Sequence, residues 1–135
     1  MKILILLSVL AYVVACCLPA LQWKNNDKAF EIMLGLRALA VGWSGIFAGI
    51  VAWFANPLWV AALVLAFFRK AWPGAIVGTI ALMVALTVFN VLGRELPADE
   101  GGVNKTRIVA VLSGGYVWFA SIGLSILAAL LGGKK

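Results

Sequence analysis

Four stretches with no acidic or basic residue, 3–21, 38–55, 75–89 and 108–131, set the strongest limit on what this chain can fold into. A helix crossing about 30 Å of hydrocarbon needs ~20 mostly apolar residues. Three of the runs approach or exceed that length, and the 75–89 run is extended by the uncharged residues Ala71–Gly74 and Asn90–Gly93. Charged residues make up 12% of the 135 positions against 64% hydrophobic ones, and mean hydropathy is +1.08. That is too little charge to cover a water-facing surface of this size. Backbone in lipid has to satisfy its own hydrogen bonds, which favours helices. The ~10-residue alternating strands of a membrane barrel are absent. The expected fold is all-α: one small polytopic membrane domain over 1–135, a compact bundle of four to five transmembrane helices. Their expected ranges are about 3–21, 34–55, 57–70, 73–92 and 107–131.

Two dipeptides punctuate the bundle. Asn56–Pro57 reads as an N-cap followed by a first-turn proline, and Pro73–Gly74 repeats the break. The helix between them has few apolar residues before Arg69–Lys70, so 57–70 is either a short crossing or a re-entrant segment. Two orientations stay open. One has five crossings with the N-terminus outside; the other has four crossings, a half-helix and the N-terminus inside. Both place loop 93–107 outside and Lys134–Lys135 in the cytoplasm, as expected for a bacterial cytoplasmic membrane. Val13–Cys16 has the composition of a lipoprotein cleavage box, but the apolar run continues to Leu21, which favours an uncleaved first helix.

Small residues recur at helical spacing. Gly35, Ala38, Gly42, Gly45, Gly49 and Ala52 follow alternating steps of three and four, and Gly74 and Gly78 begin a similar stripe. Such faces let another backbone approach closely, so these eight residues are expected at helix contacts. Asn56, Asn90, Ser113 and Trp118 are the candidate functional polar and aromatic positions, Trp118 because its indole N–H needs a partner near mid-helix.

No acid or base lies deep in an apolar run, and the chain has no His and only the adjacent Cys16 and Cys17. No catalytic, cofactor-binding or metal-ligating residues are expected. The net charge of +6 is spread over loops and ends without a basic arm or reading helix, so headgroups rather than nucleic acid are the expected counterpart. The expected role is a non-enzymatic accessory, assembly or inhibitory (immunity-type) subunit. It would sit in the bilayer and act on a larger membrane protein or on further copies of itself. A small oligomeric channel or transporter, built on the interrupted helices, is the alternative.

Overall fold

Pro19 divides the first apolar run. The residue before a proline is pushed out of the helical region, and Leu18 has φ −96° and ψ 155°. Helix α1 (Lys2–Cys17) therefore ends there, and the chain continues as strand β1 (Pro19–Asn25). The computed structural model describes residues 1–26, 28–98 and 101–133. After β1 come β2 (Phe30–Leu34), α2 (Gly35–Val41), two 3-10 turns (Gly42–Ala48 and Ala52–Phe54) and α3 (Ala55–Phe67). Then follow α4 (Ala71–Leu86) with a 3-10 extension (Thr87–Val91), β3 (Glu95–Pro97), β4 (Lys105–Val111) and α5 (Ser113–Gly132).

The all-α expectation does not hold. The protein is mixed α/β, and the described residues form a four-stranded antiparallel sheet in the order β2-β1-β4-β3 beside five α-helices. Among the described residues two segments, Ala71–Val91 and Ser113–Gly132, are long and apolar enough to cross a membrane, rather than four or five. The difference has a physical source: a run without charge suits a helix and a buried strand alike, and Pro19–Leu21 and Ile108–Val111 are strand. In β4 the sequence Lys-Thr-Arg-Ile-Val-Ala-Val is rich in β-branched residues, which suit a pleated, half-buried surface. Ile108 and Val111 are buried in it, and Leu112 donates its N–H to the Ala20 carbonyl before α5 begins.

The second run also departs from one continuous helix over 34–55. Glycines at 42, 45 and 49 weaken α-helix propensity. The chain tightens into 3-10 turns and reverses at Gly49, whose φ of 75° is left-handed. The Ile50 N–H closes this reversal on the Gly45 carbonyl at 2.9 Å. Asn56 and Pro57 lie inside the first turn of α3 rather than capping it. A proline is tolerated there because first-turn N–H groups have no intrahelical partner.

Helices α1, α3, α4 and α5 form one layer. Central α5 packs against α1, α3 and α4, and α3 packs against α4. The layer has two distinct ends. The sheet joins α1 and α5 at one end, through the α1–β1 and β4–α5 connections. Met1, the α3–α4 turn and the end of α5 meet at the other, where a Cβ added at Gly132 would collide with Met1 and one at Gly133 with Ala71. Between these ends the buried residues are small. Ala55, Ala62, Ala66, Ala81, Ala85, Ala128 and Ala129 are fully buried, with Ser8, Ser121 and Ser125, and Ile122 is the largest side chain at that depth among the described residues. A second cluster of Ala52, Val88, Val91, Leu96, Ile108 and Val111 joins the layer to the sheet.

Candidate functional site

A network of side-chain hydrogen bonds ties α1, α3 and α5 together. Asn56 Oδ1 accepts from the Tyr12 hydroxyl at 2.9 Å and from Trp118 Nε1 at 3.0 Å. An indole N–H can only donate, so the atom facing both partners has to be the amide oxygen. One turn deeper, Trp59 Nε1 donates to Ser8 Oγ at 3.0 Å, and Ser8 Oγ donates to the Ser121 carbonyl at 2.6 Å. Tyr12 and Trp59 stack with ring centroids 4.1 Å apart and planes within 9°. Tyr12 is one helical turn beyond Ser8, and Trp118 is three residues before Ser121. Two pairs on facing helices thus make a ladder with the first turns of α3 between them.

Next to this ladder, toward the sheet, lies a partly open cavity of about 130 Å³. Its walls come from α1, α2, both central strands, the Thr87–Val91 turn and the start of α5. Close backbone approaches frame it. A Cβ on Gly35 would collide with the Ala15 carbonyl, and one on Gly114 would fall within 3.1 Å of the Ala15, Leu18 and Pro19 carbonyls. Trp53 Nε1 donates to the Leu39 carbonyl at 2.8 Å and pins the segment that covers one side. Among the described residues the lining is apolar apart from Asn56, Tyr12, Cys16 and the indoles, and it includes no Asp, Glu, Lys or Arg.

The expected packing stripe on the second run divides among three environments. Gly35 abuts α1, while Ala38 and Gly42 line the cavity, Gly42 with the Trp53 ring against it. Gly45 faces Ile50 of its own turn, Gly49 faces open space, and Ala52 is buried in the junction cluster. Gly74 and Gly78 lie between helices: a Cβ at Gly74 would meet Ala129 at 2.9 Å, and one at Gly78 would meet Ile126 at 2.7 Å. Of the four polar and aromatic candidates, Asn56 and Trp118 are joined by a hydrogen bond, whereas Asn90 and Ser113 are exposed and outside the network. The network also includes Ser8, Tyr12 and Trp59, which sequence reasoning misses; Trp59 is 7% exposed. The available signal was the Ser8–Tyr12 pair, a polar stripe inside an otherwise apolar helix.

On the sheet, Glu95 bonds Lys105 at 2.8 Å and Arg107 at 3.1 Å, pairings that follow from the β3–β4 register. The hydrogen bond and charge of Lys105, with Arg107 behind it, hold the Glu95 carboxyl below its ordinary range. The Arg37 guanidinium lies over the Trp23 ring at 5.5 Å. Asp99, Glu100, Lys134 and Lys135, which entered the loop and terminus expectations, lie outside the described residues. Among the described residues no group of three or more His, Cys, Asp or Glu is placed to hold a metal ion.

These features define a helix-and-sheet protein with an apolar cavity at the junction of its two layers and a hydrogen-bonded aromatic cluster beneath it. No known protein family matches the chain, and neither does any curated protein or solved structure.

Proposed function

We propose that this is a non-enzymatic integral protein of the cytoplasmic membrane, acting as an accessory, assembly or inhibitory subunit of a larger membrane protein. The observation that carries the membrane reading is the reversed size order across the helical layer. Alanine, glycine and serine fill the interior, while Ile3, Leu6, Leu10, Phe67, Ile80 and Met83 point outward, Met83 with 66% of its surface exposed. In water, each such side chain forgoes about 1.5–3 kcal/mol that burial would give. In lipid there is no comparable difference between helix contact and hydrocarbon contact, and close approach of small residues drives association. Segments Ala71–Val91 and Ser113–Gly132 are long enough to cross, and the shorter α1 and α3, which run between the same two ends of the layer, cross beside them. The orientation puts the sheet outside. This follows from assigning loop 93–107 to the outside: the sheet end mixes Lys24, Lys28, Arg37, Arg94, Lys105 and Arg107 with Glu31 and Glu95, whereas the described charges at the opposite end, Lys2, Arg69 and Lys70, are all basic.

The partner reading is supported by the segment Gly35–Ala48, none of whose residues is buried; Phe47 at its tip is 85% exposed and Trp43 53%. Large apolar side chains beyond the packed layer suit coverage by another molecule. Fractionation and reconstitution test both parts. The protein stays with membranes through an alkaline carbonate wash, co-purifies in mild detergent with a larger membrane protein at fixed stoichiometry, and passes no ions alone in liposomes. Release into the wash overturns the membrane reading. Selective flux through the protein alone overturns the accessory reading in favour of a channel or transporter. A complex containing only this chain makes the partner another copy.

A further inference from the structure

We infer that the junction cavity binds one acyl chain of a neutral ester lipid, with the ester carbonyl oxygen accepting a hydrogen bond from the Asn56 amide. The inference stands on the cavity and does not require that the helical layer lie in a bilayer. Three observations support it. First, size: about 130 Å³ is close to the roughly 150 Å³ of an apolar protein cavity known to take benzene. The enclosed part thus takes about six carbon atoms, and because the cavity is partly open, a longer chain can continue out of it. Second, lining: Leu39, Ile50, Val88 and Phe119 supply aliphatic and aromatic walls, and the lining has no charged side chain. A free carboxylate or ammonium would have to enter without a counter-charge, which burial opposes strongly; a neutral ester does not.

Third, polarity: Asn56 lines the cavity, and both donors of its neighbours, Tyr12 and Trp118, converge on Oδ1. Both of those bonds fall on Oδ1, which leaves Nδ2 as the donor of this side chain. The amide is therefore a fixed donor, oriented by two bonds on its other atom, beside an apolar space. Apolar pockets with a few fixed polar groups are the common form of small-molecule sites. The chemistry that complements a single donor in such a space is an uncharged acceptor carried on hydrocarbon. An ester carbonyl at the head of an acyl chain provides both.

The test is photo-crosslinking of the full-length protein, held in a bulky steroidal detergent, with monododecanoylglycerol bearing a diazirine beside its ester. The cross-links are mapped by mass spectrometry. The expected label is one per protein, falls on cavity residues such as Leu39, Val88 and Trp118, and is competed by unlabelled monododecanoylglycerol. Dodecane, with no acceptor oxygen, should compete about tenfold less well, the effect of one hydrogen bond. Ala38→Phe, which fills the cavity from the α2 side, should abolish the label. Label spread over outward residues such as Leu6 and Phe67, or equal competition by dodecane, would each overturn the proposal. The mapping and competition on the unmodified protein decide it even where Ala38→Phe fails to fold.

Discussion

Asn56 shows how a single residue can be legible in type and misread in role. Its position before Pro57 marks a helix start, and α3 does begin there, yet its side chain serves partners 44 and 62 positions away in sequence. Nothing local encodes that. Tyr12 and Trp118 become its neighbours only when α1 and α5 pack. Removing the shared acceptor leaves a hydroxyl and an indole N–H without a partner at the same time. Asn56→Ala is therefore expected to destabilise the protein by about 1–2 kcal/mol, the penalty for stranding two part-buried donors. Tyr12→Phe, which removes one donor along with its need, should cost less than about 1 kcal/mol. Thermal unfolding of both variants and their combination gives the coupling directly, and a double variant no worse than Asn56→Ala alone is the expected result. Strict additivity would show that the Tyr12 bond does not contribute.

At the scale of elements, length and hydropathy mark α4 and α5, and punctuation marks the α3–α4 junction, because these features depend on residues close in sequence. The sheet was not legible for a specific reason. Strand β1 shares an apolar run with α1, and β4 shares one with α5, so hydropathy passes over both boundaries without a change. Only Pro19 and the β-branched run Ile108–Val111 carry the signal, and both lie inside apolar runs whose hydropathy suits a helix equally well. The glycine stripes differ in the same way. On the second run the 3-10 turns rotate successive glycines off one face, whereas on α4 regular helix keeps Gly74 and Gly78 toward their neighbours. Gly78→Leu should force Ile126 aside and separate α4 from α5, costing about 1–3 kcal/mol as overpacking does. Gly123→Leu on α5, where an added Cβ meets nothing within 4 Å, should be neutral or slightly stabilising because it also gains helix propensity. Chemical unfolding in detergent compares the two, and equal stability would mean that the α4–α5 contact is looser than its geometry.

For the whole molecule, the expected orientation has the sheet and loop 93–107 outside and the end formed by Lys2 and Arg69–Lys70 inside. With Cys16→Ala and Cys17→Ala as background, Gly101→Cys should react with an impermeant thiol reagent in intact cells, and Gly133→Cys only after lysis. The opposite pattern would invert the protein, and equal reaction of both in a membrane-free fraction would remove it from the bilayer. The strand order has a consequence in time. Strand β1 sits between β2 and β4, and α1 packs on α5, so the first quarter of the chain is completed by the last third. During synthesis, β1 exposes an unpaired edge, and α1 lacks its main neighbour, until residues beyond 105 have emerged. An open edge of that kind invites pairing with other chains, and the long sequence separation slows its closure. A ribosome stalled after α4 would thus release a fragment with its hairpin made and its central strand still unpaired on one side, a substrate for quality control rather than a smaller working protein.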